Sequence, residues 1–267
     1  MNSAHVMSLK VVRPFLVVVG LSIPGLRHAA AADWSLSSGV DFSTGRYGGS
    51  AATDIWYVPF TLKWEGERST LKATVPWVRI TAPSGGNIVD VDANGQPIYA
   101  GAGARTTQQG LGDVTVSYSW SVFPQPVRGV LLDLGAKVKL ATADEAKGLG
   151  SGRNDYAVQA DAYLLSGALT PFATLGYRMP GDPGGITLRN QWFSSLGLGY
   201  KLSTTDSVGI MWDLRQASRP TSQGSNEATL YWVHKFRPDF KLQTYLVHGF
   251  SEVSPDWGLG LMATVVF

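Results

Sequence analysis

The sequence predicts an all-β chain, a transmembrane antiparallel up-and-down β-barrel of about twelve strands. Three observations predict it. Residues 257–267 alternate without a break. Trp257, Leu259, Leu261, Ala263, Val265 and Phe267 form one apolar face, and Gly258, Gly260, Met262, Thr264 and Val266 form the other. A tilted strand needs roughly 9–11 residues to cross a bilayer, whereas soluble strands mostly run to about 5–6. The composition agrees: 31 Gly, no Cys and only 16% charged residues. The longest apolar run, residues 15–23, falls far short of the roughly 20 residues of a spanning helix. Finally, the connections alternate between short turns and long loops, the pattern of barrels with short periplasmic turns and long extracellular loops.

The N-terminus reads as an export signal. Lys10 and Arg13 precede the apolar run, Pro24-Gly25 ends it, and Ala29 to Ala32 offer a small-residue cleavage site before Asp33. Residues 1–32 are therefore expected to be a cleaved signal peptide and residues 33–267 the barrel. Removing the leader leaves 19 basic against 20 acidic residues, so the pI of about 8.8 reports mainly the leader. No basic patch points to nucleic acid.

The strands follow in order. Residues 34–46 put Trp34, Leu36, Val40 and Phe42 opposite Ser35, Ser37, Asp41 and Ser43. Residues 54–65 set Trp56, Val58, Phe60, Leu62 and Trp64 against Tyr57, Thr61 and Lys63. In residues 69–81 Leu71, Ala73 and Val75 oppose Thr70, Lys72 and Thr74. Pro76, lacking a ladder donor, suggests a bulge there, which leaves the direction of Arg79 open. A long loop, residues 82–111, precedes the cleanest alternation, residues 113–123, with Val114, Val116, Tyr118 and Trp120 against Thr115, Ser117 and Ser119. Residues 129–141 oppose Leu132, Leu134 and Val138 to Asp133, Lys137 and Lys139. Strands at 154–165, 168–179, 191–202, 207–216, 227–237 and 240–251 continue the pattern up to the terminal strand. Aromatic residues gather toward both ends: Trp34, Trp64, Trp120, Tyr200, Phe236, Phe240 and Phe267 at one, Trp56, Tyr156, Tyr177, Trp192, Phe250 and Trp257 at the other. Two girdles of this kind mark bilayer interfaces.

The run Gly110-Leu-Gly-Asp-Val-Thr-Val-Ser-Tyr-Ser-Trp120 resembles the strand opening of outer-membrane transporters of the phenol-degradation meta-pathway family. The Pro76-Trp77-Val78 step and Arg153-Asn-Asp-Tyr156 resemble it too. The resemblance implies an outer-membrane transporter-like barrel and, by analogy, small aromatic or hydrophobic solutes. It transfers no site residue.

Chemistry must then come from the interior. Lys63, Asp133, Lys137, Lys139, Asp161, Lys201, Asp213 and Arg215 fall on the lumen parity, as do Asp41, Lys72, Arg178 and Lys235. Charges at bilayer depth cost several kcal/mol unless paired or wet. Both signs are expected to alternate round the barrel. The reading is a narrow passive path for small solutes, lined by the first eight of these residues. A closed structural or binding barrel presenting its extracellular loops is the alternative. A lipid hydrolase is the third reading, and it is disfavoured: two residues after His248 stands Phe250, while Ser251 has the opposite parity. No metal site and no cofactor are expected, since His234 and His248 have no second ligand at suitable spacing. The expected partners are outer-membrane lipid and lipopolysaccharide, a small-molecule solute, and the barrel-assembly machinery through the terminal strand ending in Phe267.

Overall fold

The computed structural model describes residues 33–83, 87–91 (backbone only), 97–183 and 187–267. The leader lies outside them. The strands are β1 (Asp33–Gly45), β2 (Thr53–Glu65), β3 (Ser69–Pro83), β4 (Asn87–Val91), β5 (Pro97–Ala100), β6 (Arg105–Leu111), β7 (Val114–Ser121) and β8 (Val130–Leu140). There follow β9 (Asp155–Leu164), β10 (Leu169–Met179), β11 (Gln191–Lys201), β12 (Asp206–Arg215), β13 (Ser225–Arg237), β14 (Phe240–Gly249) and β15 (Trp257–Val266). The only helical piece among the described residues is one 3₁₀ turn, Glu145–Lys147.

All strands but the β4–β5 hairpin join one antiparallel sheet that closes on itself. β6 and β7 act as a single wall strand. β7 pairs with β3 along Ser69–Thr74, and β6 pairs with it along Trp77–Pro83. The wall therefore has 12 strands, as the alternation predicts. β1 meets β15 from Ser35↔Val266 to Thr44↔Trp257, and Trp34 and Phe267 exchange backbone hydrogen bonds of 3.2 and 2.9 Å. Closure leaves neither β1 nor β15 with a bare edge in lipid, where each unpaired amide would cost several kcal/mol.

Two expectations change around Pro76. The β2–β3 register runs unbroken from Asp54↔Thr81 to Glu65↔Thr70, so Pro76 sits in regular strand and not in a bulge. The irregularity lies in the neighbouring strand. The Pro76 carbonyl accepts from Gly112 N at 2.9 Å, in the break between β6 and β7. The missing donor of Pro76 thus faces the one place on that side where the ladder is already interrupted. The wall resumes at Arg105, so the long loop is shorter than predicted.

Facing directions follow the predicted parity. Leu36, Phe60, Leu134, Leu196, Leu230 and Leu259 are exposed on the outside. Leaving such side chains in water would cost about 1.5–3 kcal/mol each; a hydrocarbon surround removes that cost. Aromatic clusters rim the apolar band. Tyr177–Trp192 and Trp212–Phe250 lie at one end, Trp232, His234, Phe236 and Phe240 at the other.

Candidate functional site in the barrel lumen

Inward positions carry hydroxyls along much of the wall. Ser37 and Thr264 share a 2.9 Å hydrogen bond and Thr61 and Thr74 one of 2.8 Å. Ser37, Thr61 and Thr74, with Thr115, Ser117 and Ser119, line a cavity of about 190 Å³. Hydroxyls both donate and accept, so this wall can hydrogen-bond water or a polar solute in any orientation.

The charges are sorted, contrary to the expected alternation of sign. One register row reads Asp133↔Asp161↔Thr174↔Ser195↔Asp213↔Glu227 across β8 to β13. It sets two carboxylate pairs directly opposite each other, an arrangement that repels. Hydroxyl and amide donors offset the repulsion. Thr174 donates to Asp161 at 2.6 Å, Gln159 donates to both Asp161 oxygens at 3.0 and 2.8 Å, and Ser195 donates to Asp213. A second row reads Lys63↔Lys72↔Ser117↔Lys137↔Ala157↔Arg178 across β2 to β10. The lumen therefore has a basic and an acidic track. Alternation was expected because parity shows only which face a charge is on. Which charges are neighbours depends on register.

Of the eight predicted lining residues, Lys137, Lys139, Asp161, Asp213 and Arg215 border the cavity. Asp133 lies buried beside Asp161, off the cavity surface. Lys63 pairs with Glu65 at 2.6 Å, and Lys201 is the last residue of β11. These two belong to the short-turn ends of their strands and not to the cavity.

Lys139 has a second role. Its ammonium donates to Asp113 at 2.8 Å and Ser151 at 2.8 Å, and lies 3.6 Å from Asp155. Arg178 completes the cluster, donating to Asp155 at 2.6 Å. Asp113 also accepts from the amides of Thr142 and Ala143, and Asp155 from that of Gly181. Two cations and two anions, nearly inaccessible to water, so tie the bases of two long loops to the wall. Asp113 and Asp155 were not among the predicted site residues. Asp113 opens the predicted 113–123 segment but stands in the β6–β7 break, and its partners come from other elements, which alternation does not show.

Two apolar features narrow the lumen. Leu131, Tyr163, Phe172, Met211, Tyr231 and Tyr245 belong to one cluster on the β8–β14 side. Several of these rings lie flat over glycines of the paired strand: Phe172 over Gly197, Tyr231 over Gly209, Tyr245 over Gly260. A Cβ at any of these glycines would collide with the ring. The rings thereby cover the wall and do not project across the bore. Tyr245 also donates its hydroxyl to Asp41.

The second feature packs the long-loop end of the barrel. Ile55, Tyr57, Val78, Ile80 and Ala82 face Leu149, which is 1% exposed, with Tyr99 packed alongside. Tyr99 donates to the Gly148 carbonyl at 3.2 Å, and Thr53 donates to the Tyr99 carbonyl at 2.7 Å. Burial pushes the Tyr99 phenol above its ordinary range. Tyr47, Leu188 and Val253 are buried in three further loops. The loops also bond to one another, Arg153 to the Asp182 carbonyl at 2.9 Å and Arg189 N to the Ser218 carbonyl at 2.7 Å.

His234 and His248 sit in the aromatic rims. His248 Nδ1 is 2.8 Å from the Asp256 carbonyl, between Phe250 and Trp257; His234 Nδ1 is 2.8 Å from Asp206. Among the described residues no group of three or more His, Asp or Glu could hold a metal ion.

No family model and no curated protein matches the chain. Among solved structures it is similar to the KdgM porin, with a TM-score of 0.52 at 9% identity, covering 87% of this chain and 99% of that one. It is similar also to the NanC porin, with a TM-score of 0.55 at 8% identity, covering 87% of this chain and 98% of that one. At such identities the likeness is one of fold.

Proposed function

We propose that this barrel is a passive path for small solutes across the outer membrane of a Gram-negative bacterium. The observation that carries the reading is the lumen cavity lined by hydroxyls and by two tracks of opposite charge inside a wall whose outside is apolar. Charges at bilayer depth persist where water or a partner reaches them. The fold shared with two porins supports the reading, and so does the resemblance to phenol-degradation transporters. A phenol-like solute suits this lumen, its ring against Phe193 or Tyr57 and its hydroxyl on the serine and threonine wall. Export by the 1–32 leader and delivery through a terminal strand ending in Phe267 belong to the same proposal.

Single-channel recording in a planar bilayer tests it. Discrete conductance steps are expected. Silence from a barrel that is folded by heat-modifiable gel mobility would overturn it. The loop residues packed against the wall around Leu149 favour a second reading, a closed barrel that presents its loops, and silence would leave that reading standing.

A further inference from the structure

The unbroken β2–β3 register turns Arg79 outward, on the face that carries Leu71, Val75 and Trp77. It is exposed. Directly opposite on β2 is Trp56, one of the rim aromatics, and directly opposite on β6 is Gln109, also exposed. One step toward the bilayer the same face is apolar, with Trp77 opposite the exposed Leu111. One step away from it Thr81 and Thr107 share a 2.9 Å hydrogen bond. Asp54 stands in the same row, directly opposite Thr81, and its carboxylate is engaged by Arg105 and by Thr44. The boundary between apolar and polar outer surface thus falls between Trp77/Leu111 and Arg79/Gln109.

A cation on the lipid face costs about 2–4 kcal/mol at the bilayer midplane and little near the interface. At the interface the abundant counter-charge is phosphate. A guanidinium presents its N–H groups as a planar fork that matches two phosphate oxygens, and the Gln109 amide and the threonine hydroxyls add donors on the same face. No ion pair among the described residues engages Arg79.

We propose that Arg79 and Gln109 form an external binding site for the phosphate of a phosphorylated outer-leaflet lipid headgroup. In the outer membrane that lipid is lipopolysaccharide, so the site rests on the proposed location but not on conduction. It holds the lipid against the β3–β6 wall, where the sheet rises out of the bilayer.

Native mass spectrometry of the full chain, purified in detergent and titrated with bisphosphorylated lipid A or its dephosphorylated form, tests the proposal. Wild type should prefer the phosphorylated lipid by about tenfold, the worth of one charge-assisted contact. Arg79→Gln should abolish the preference and Arg79→Lys should reduce it. Arg237→Gln, at an exposed arginine of the opposite rim, should keep it. Equal binding of both lipids by wild type, or an undiminished preference in Arg79→Gln, would overturn the site. Displacement of the lipid by excess inorganic phosphate would make it a free-anion site and overturn the lipid assignment. Conductance of the same samples separates the claims: a conducting barrel without the preference sinks only the lipid site, and a silent barrel with it sinks only the solute path.

Discussion

Lys137 and Lys139 stand two residues apart on β8, face the same cavity and do different work. Lys139 belongs to the buried cluster with Asp113, Asp155 and Arg178. Removing one partner of such a pair leaves a buried charge and costs about 3–5 kcal/mol. Lys139→Met should therefore lower the urea midpoint and loosen both anchored loops. Lys137 lies on the basic track facing the cavity. Lys137→Glu should leave folding intact and shift reversal potentials toward cation selectivity, and an unshifted potential would remove Lys137 from the path. The lumen glycines give a steric counterpart. Gly260→Ala would push the Tyr245 ring off the wall and away from Asp41. Overpacking of this kind costs about 1–3 kcal/mol, and the displaced ring should also reduce conductance. Parity alone made Lys137 and Lys139 equivalent. Telling them apart needed to know that Asp113 and Ser151 reach Lys139, which depends on how the loops fold back and not on parity.

At the scale of elements, the 3₁₀ loop that carries Leu149 controls the mouth. Leu149→Gly should raise single-channel conductance, because it empties the space between Tyr57, Val78 and Ile80. A conductance equal to wild type would show that the narrowest point lies elsewhere. Alkaline pH probes the same closure. A phenol whose pKa is higher in the folded protein than free contributes fully below its free value of about 10, and the contribution fades only as pH rises through the folded value. Closure through Tyr99 and Gly148 should accordingly hold at pH 9, and Tyr99→Phe should loosen it at every pH. The elements differed in how legible they were. β7 showed itself because Val114, Val116, Tyr118 and Trp120 meet lipid while the serines between them meet the lumen. β6 did not, because Thr106 to Gln109 are exposed on both faces above the bilayer and nothing imposes a period of two.

At the scale of the whole molecule, the strand count, the girdles and the placing of short turns and long loops could all be read from the chain, because lipid outside and water inside constrain every second residue. The ordering of charges into two tracks could not, since tracks run across strands and depend on register. Conductance that falls when Asp213→Asn and Lys137→Gln are combined, by more than the two single effects together, would show that the tracks act together. The seam where β1 meets β15 joins the two wall strands farthest apart along the chain. Every other wall contact links consecutive strands and can form by simple hairpin zippering, but this one must await the whole polypeptide. Its loop-closure entropy is the largest in the fold, and until it forms both flanking strands expose unpaired amides. Closure should thus be the slow, all-or-none event of assembly. Partial barrels would be short-lived, and a chain lacking β15 would aggregate when it met the membrane rather than insert as a smaller barrel.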